Sequence, residues 1–188
     1  MIPLDIMNAV GNKEVLIDDV EKAVDGSLYL YIPFIQVYGA YLLSRGIEGI
    51  GEYYGNLELM NDARFLYRFG FQGLFIVYIV VAAIYAIINL VRLPQVLLNY
   101  YQVSGIIWLI WLMLFGYGMR RATRDLYRLT NIVSFDIAED EWKWTVYLPI
   151  IGWLAYLFAA YNTYKGFKEM LYSLSKYSFI YDKFTYSP

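Results

Sequence analysis

Phe69–Val91 reads FGFQGLFIVYIVVAAIYAIINLV, a run without one Asp, Glu, Lys or Arg, bracketed by Arg68 and Arg92. As a helix rising about 1.5 Å per residue it extends about 34 Å, enough to cross the hydrocarbon core of a bilayer. A helix in a soluble core rarely keeps every face apolar over such a length. The run marks a membrane protein, and the other segments are best placed by where charge stops and starts around it.

Outward from this run lie three more charge-free stretches: Gly26–Ser44, Leu93–Met119 and Trp144–Tyr164. They predict spans at about 29–44, 70–91, 103–119 and 144–164. Tyr29, Tyr31 and Phe34 cluster at one end of the first as an aromatic belt would, with Pro33 near its start and Gln36 inside it. Leu93-Pro94 breaks the chain after the second span, and Tyr100-Tyr101 form another aromatic mark. Trp108 and Trp111 share a side of the third, and Trp142 and Trp144 mark the interface before the fourth.

The segments outside these spans are amphipathic. Residues 1–25 carry Asp5, Glu14, Asp18, Asp19, Glu21 and Asp25 against Lys13 and Lys22, the opposite of a basic signal sequence. Val15, Leu16, Val20, Ala23 and Val24 fall at helical spacing there. This segment either caps the bundle or lies on the membrane, or docks a partner. Residues 165–188 form a basic tail in which Tyr164, Phe167, Met170, Leu171 and Leu174 share a face suited to the headgroup region. Asn56 reads as the N-cap of a short helix through Leu57, Met60, Ala63 and Leu66. Asn131 ends a helix, and Asp136 with Glu139 resembles a capping-box start, with Asp140 and Glu141 in the first turn. The predicted fold is all-α: an integral membrane four-helix bundle of two tandem hairpins, with amphipathic surface helices at both ends.

Composition removes several kinds of chemistry. Sixty percent of the 188 residues are hydrophobic, and 17% charge leaves room for segments outside lipid. A formal net charge of −2 argues against a nucleic-acid partner. There is no Cys and no His, so thiolate and His-dependent nucleophilic catalysis, Cys/His zinc sites and His-ligated haem are excluded within this chain. No cofactor is expected. The missing Cys and the 21 Tyr suit a hot habitat.

All 17 acids and 15 bases fall outside the four predicted spans, which leaves proton-pump and voltage-sensor readings without their usual intramembrane charges. Gln36, Ser104 and Asn162 are the polar groups inside, and bonding to neighbouring helices is their expected use. Gly46, Gly49, Gly51 and Gly55 match neither the dinucleotide nor the phosphate-loop spacing. Gly51 and Gly55 read as a small-xxx-small helix contact. Arg120, Arg124 and Arg128 form one ridge, beside an Arg121/Asp125 pair. The ridge has three uses: a solvated, snorkelling helix end, pairing with Glu48 and Glu52, or contact with anionic lipid headgroups.

The two halves repeat with an offset of 75 residues, which sets Arg45 on Arg120, Asn56 on Asn131 and Ala63 on Ala138. The run Tyr53–Ala63 (YYGNLELMNDA) resembles the linker of an uncharacterised archaeal four-helix membrane family, known only as a domain of unknown function, the 996 family. Leu126–Phe135 (LYRLTNIVSF) is similar to its second linker. The resemblance covers roughly residues 30 to 165 and implies topology and an archaeal source, with no chemistry. The acidic N-terminal segment and basic tail depart from it.

Linkers 45–69 and 120–143 hold eight Lys/Arg against seven on the other side, which predicts cytoplasmic linkers, termini outside and a plasma-membrane location. The function expected is a non-catalytic accessory subunit of a larger, respiratory or other energy-converting membrane complex, its partners being lipid and other integral membrane subunits. The alternative is a self-assembling channel or small-solute transporter, in which Gln36, Ser104 and Asn162 face one wet cavity. An enzyme acting at the membrane surface would need two of Glu48, Glu52, Glu58, Asp136 and Glu139 in one cleft.

Overall fold

The computed structural model describes the backbone of residues 4–91, 94–147 and 149–185, with side chains described over 13–88, 102–147 and 152–176. The helices are α1 (Leu4–Tyr29), α2 (Ile35–Tyr54), α3 (Leu57–Phe65), a π-helical segment (Leu66–Gln72), α4 (Gly73–Val91), α5 (Pro94–Thr130), α6 (Val133–Tyr147) and α7 (Pro149–Thr185). No strand occurs among the described residues. Helix α3, the π segment and α4 join end to end, which leaves six rods. Each rod packs on the next in chain order and α7 closes back on α1, so the rods form a ring.

The first expected span, 29–44, does not form one helix. α1 stops at Tyr29 and the chain reverses over Leu30–Phe34 before α2 begins. Pro33 is the physical cause: it lacks an N–H and pushes Ile32 away from helical angles. Phe34 completes the reversal with φ 66°, a conformation strained for a bulky residue. α1 and α2 then lie antiparallel at near-backbone contact. A Cβ on Gly26 would come 2.8 Å from the Gly39 carbonyl oxygen, and one on Gly46 would come 2.7 Å from the Ala23 nitrogen. Leu16, Val20 and Ala23 of α1 are buried with Ala40, Leu43, Ile47 and Ile50 of α2. The N-terminal segment is therefore a full rod of the bundle and not a surface helix.

Gly51 and Gly55 do not act as a pair. Gly51 faces Met60 of α3, where a Cβ would fall 2.8 Å from its Cγ. Gly55 has φ 64° and open space around it, so it ends α2 by adopting the left-handed turn rather than by packing. Asn56 caps α3 as expected, its Oδ1 accepting the Leu59 N–H at 2.9 Å. At the corresponding joint between α5 and α6, Asn131 takes the left-handed conformation itself, with φ 55°. α6 begins at Val133, so Asp136 lies in its first turn rather than at its N-cap, and Glu139 lies one turn further in.

Beyond Asn56 the rod Leu57–Val91 runs without a turn. Its π segment widens the ladder where Trp111 of α5 enters, and the Trp111 indole N–H donates to the Gly70 carbonyl at 3.1 Å. α5 opens on Pro94, a position where a missing N–H costs nothing, and runs antiparallel to this rod. Trp111, Phe115, Trp142 and Tyr156 form the aromatic centre. Phe115 and Trp142 meet edge to face at 5.5 Å, and Trp142 and Tyr156 at 5.6 Å. Trp142 is thus core and not an interface marker, and its indole donates to Thr163 Oγ1 at 3.0 Å.

The stretch 144–164 is also divided. α6 ends at Tyr147, and α7 opens on Pro149 and returns along α6, with Ser134 donating to the Glu169 carboxylate. Phe167 and Met170 are buried in the bundle, Phe167 edge-on to Phe135 at 5.0 Å. Over residues 165–176 the expected surface tail is therefore a packed rod whose other side faces out, and the rest of the tail's side chains lie outside the described residues. Two helices among the described residues are long and apolar enough to cross a membrane, Leu57–Ile88 and Gln102–Thr130. α1 runs toward the α2/α3 joint, as Ala23 and Asp19 against Gly46 show, and α7 runs toward the α5/α6 joint. The outer ends of α1 and α7 therefore share one end of the bundle with both linkers, whereas a four-span path requires them at opposite ends.

Candidate functional site

Charge gathers at that shared end. Glu48 of α2 accepts from Arg45 at 2.9 Å and from Arg64 of α3 at 3.1 Å. Arg121 of α5 reaches Asp62 of α3 at 2.7 Å, and Arg120 lies 3.7 Å from Glu139 of α6. Arg124 and Arg128 both stand 3.5 Å from Asp125 of their own helix. These contacts tie α2 to α3, α3 to α5 and α5 to α6, in ring order.

The pairing of Arg120, Arg124 and Arg128 with Glu48 and Glu52, one of the three uses open to the ridge, is not present. α3 packs against both α2 and α5 and stands between the two stripes, and it supplies Arg64 to one and Asp62 to the other. Arg121 likewise turns from Asp125, its expected partner, to Asp62. Glu52 lines a surface cleft of about 460 Å3 with Asp19, Lys22, Arg45 and Glu48. Two acids of the surface-enzyme reading thus share a cleft, but Glu48 there is held by two arginines. Among the described residues no three metal-ligating side chains come together.

Asp62 is the residue that sequence reasoning passed over. It is 1% exposed, and its Oδ2 and the nearby Arg124 Nε are buried without a hydrogen-bond partner. Arg124 Nε is within ion-pairing distance of Asp125 Oδ1, but not aligned to donate to it. Asp62 lies seven residues before the apolar run begins at Phe69. Burial pushes its carboxyl up to about 6, with Asp125 and Glu58 adding to the shift and Arg121 and Arg124 opposing it. The signal was available: Leu59, Ala63 and Leu66 flank Asp62 on the buried stripe of α3, so an acid sits where an apolar residue is expected.

Toward the opposite, uncharged end the α1/α2 turn locks onto the first half of α7. The Tyr156 hydroxyl donates to the Leu30 carbonyl at 2.9 Å, and the Tyr31 hydroxyl donates to the Leu157 carbonyl at 2.8 Å. Gln36 donates its amide to the Tyr78 hydroxyl at 2.7 Å, and Asn162 donates to Glu141 at 2.8 Å. Ser104 is partnered as well. An apolar cleft of about 150 Å3, lined by Phe69, Gly73, Val77, Ile107, Trp111 and Leu114 among others, opens at the base of the α4/α5 pair. No protein-family model, no curated protein and no solved structure matches this chain.

Proposed function

We propose that the chain is a non-catalytic integral membrane subunit, inserted by the α4/α5 pair and assembled with other membrane proteins. The observation that carries the reading is the outward surface of that pair. The most apolar window of the Leu57–Ile88 rod is only 11% buried against the rest of the chain. A soluble core helix would be mostly covered. Here Phe75, Ile76, Ile79, Val80, Ile87, Ile106 and Ile110 all face out.

In this reading the chain crosses the bilayer twice rather than four times. Gln36 meets Tyr78 ten residues past Arg68, so the α1/α2 turn reaches about 15 Å below the charged end. The mutual tyrosine bonds set Tyr156 and Leu157 of α7 at the same depth. From Tyr78 to Val91 the central pair continues about 20 Å further. Against a hydrocarbon core of about 30 Å, the α1/α2 turn stops near its middle. Non-helical backbone at that depth must be satisfied by protein, and the Tyr156 hydroxyl does that for the Leu30 carbonyl.

The bonds of Gln36 to α4 and of Asn162 to α6 favour a subunit over a channel, since neither group lines the clefts described above. An energy-converting assembly is the setting we propose, and the tyrosine- and tryptophan-rich outer faces offer its docking surface. The test is the native mass of the full chain extracted in mild detergent, with identification of what co-purifies. Reproducible recovery with defined polypeptides supports the reading, and a homogeneous species without partners overturns it.

A further inference from the structure

The outer side of α7 carries one continuous stripe. Leu154, Leu157, Phe158 and Tyr161 are exposed along its uncharged half, and Lys165, Lys168 and Tyr172 continue the same face past Tyr164. Where the two halves meet, Tyr161, Tyr164, Lys165, Lys168, Glu169 and Tyr172 line an open cleft of about 490 Å3. Asn162 and Thr163 pair with Glu141 and Trp142, which sets this cleft level with the end of the uncharged zone.

Its charge is not internally balanced. Glu169 lies 3.8 Å from Lys165 and also accepts from Ser134 of α6. Lys168 makes no ion pair among the described residues, and its ammonium rests 5.3 Å from the centre of the Tyr164 ring. The arginine ridge on α5 differs, because Asp125 and Glu139 already answer it.

We propose that this stripe binds an anionic phospholipid, its phosphate at Lys165 and Lys168 and its acyl chains along Leu154, Leu157 and Phe158. The proposal rests on the membrane reading above. A lysine pair at headgroup height above an exposed apolar track suits a charged head on a long hydrocarbon chain. A free phosphate would use only the upper half.

The test is native mass spectrometry of the full chain carrying either phosphatidylglycerol or phosphatidylcholine of the same acyl composition. About fivefold stronger retention of phosphatidylglycerol is expected, the size of one unmatched interfacial lysine. A Lys165→Gln/Lys168→Gln double variant should retain both lipids alike, with its helical melt unchanged, while Lys143→Gln keeps the preference. Equal retention by the natural protein, a preference that survives the double variant, or one lost equally in Lys143→Gln would overturn the site. Displacement of the lipid by glycerol phosphate would overturn the lipid assignment in favour of a phosphate site. Extraction from membranes by alkaline carbonate is scored separately: a chain that stays inserted but shows no preference fails this proposal alone, and a chain that is stripped off fails the membrane reading as well.

Discussion

Phe69–Val91 and Gly26–Ser44 look alike when charges are counted, yet one is an unbroken length of rod and the other folds back on itself. Proline separates them. Gly26–Ser44 contains Pro33 and Trp144–Tyr164 contains Pro149, and each is divided where its proline falls. Phe69–Val91 has none. Freedom from charge says that a segment tolerates lipid; direction is set by backbone chemistry. A charge-free run is therefore a length of apolar chain before it is a span.

The strongest way to break this comparison is to put a proline into the run that lacks one. Val80→Pro removes a helix bond and crowds the Ile76 carbonyl. A loss of about 3 kcal/mol or more is expected, together with loss of carbonate-resistant membrane association. A variant that keeps both its melt and its membrane fraction would show that proline does not decide between the two runs.

The lock between the α1/α2 turn and α7 gives the next largest effect. Tyr156→Phe leaves the Leu30 carbonyl buried and unanswered, at a cost of about 1–3 kcal/mol in a denaturant titration. Tyr31→Phe, at the more exposed of the two bonds, should cost about 1 kcal/mol or less. Equal costs would mean that the α1/α2 turn is held against α7 by packing instead.

At the charged end the comparison concerns pH. The Asp62 carboxyl, raised from 3.8 to about 6, holds its proton in the folded state at pH values where the unfolded chain has lost it. Its contribution to stability is thus greatest below the unfolded value and declines as pH rises through about 6. Melting temperature followed across that window should fall with pH in the natural protein and lose that component in Asp62→Asn. An unchanged slope would rule out Asp62 as its source.

The smallest effect sits at Phe34. Phe34→Gly relieves a positive φ worth about 1 kcal/mol but gives up the ring contact with Tyr78 at 5.4 Å, so a net change within about 1 kcal/mol is expected. A larger loss would assign the turn to the aromatic contact rather than to Pro33.

What was legible in the sequence was local. Asn56 as a cap, the helix end at Asn131 and the apolar rod around Ile79 follow from residue type and spacing. The expected partners of the arginine ridge failed because pairing depends on which rod lies between two others. Nothing in the spacing of Glu48 and Arg124 reveals that α3 intervenes. The glycines at 26 and 39 were similarly mute, and Gly46, though it reads as a packing glycine, shows its partner Ala23 only once α1 is laid against α2. Asp62 was within reach, because an acid flanked by Leu59, Ala63 and Leu66 contradicts its own stripe.

The two tyrosine bonds join residues 126 apart in the chain, Tyr31 to Leu157 and Leu30 to Tyr156. During synthesis the first hairpin therefore emerges well before its counterpart exists. Until α7 is made, the Leu30 carbonyl waits without its donor and the ring stays open along one side. Contacts so far apart in sequence form late and slowly. The ring closes only once α7 is seated against α1, and a chain that stops before Tyr156 is left as an opened bundle.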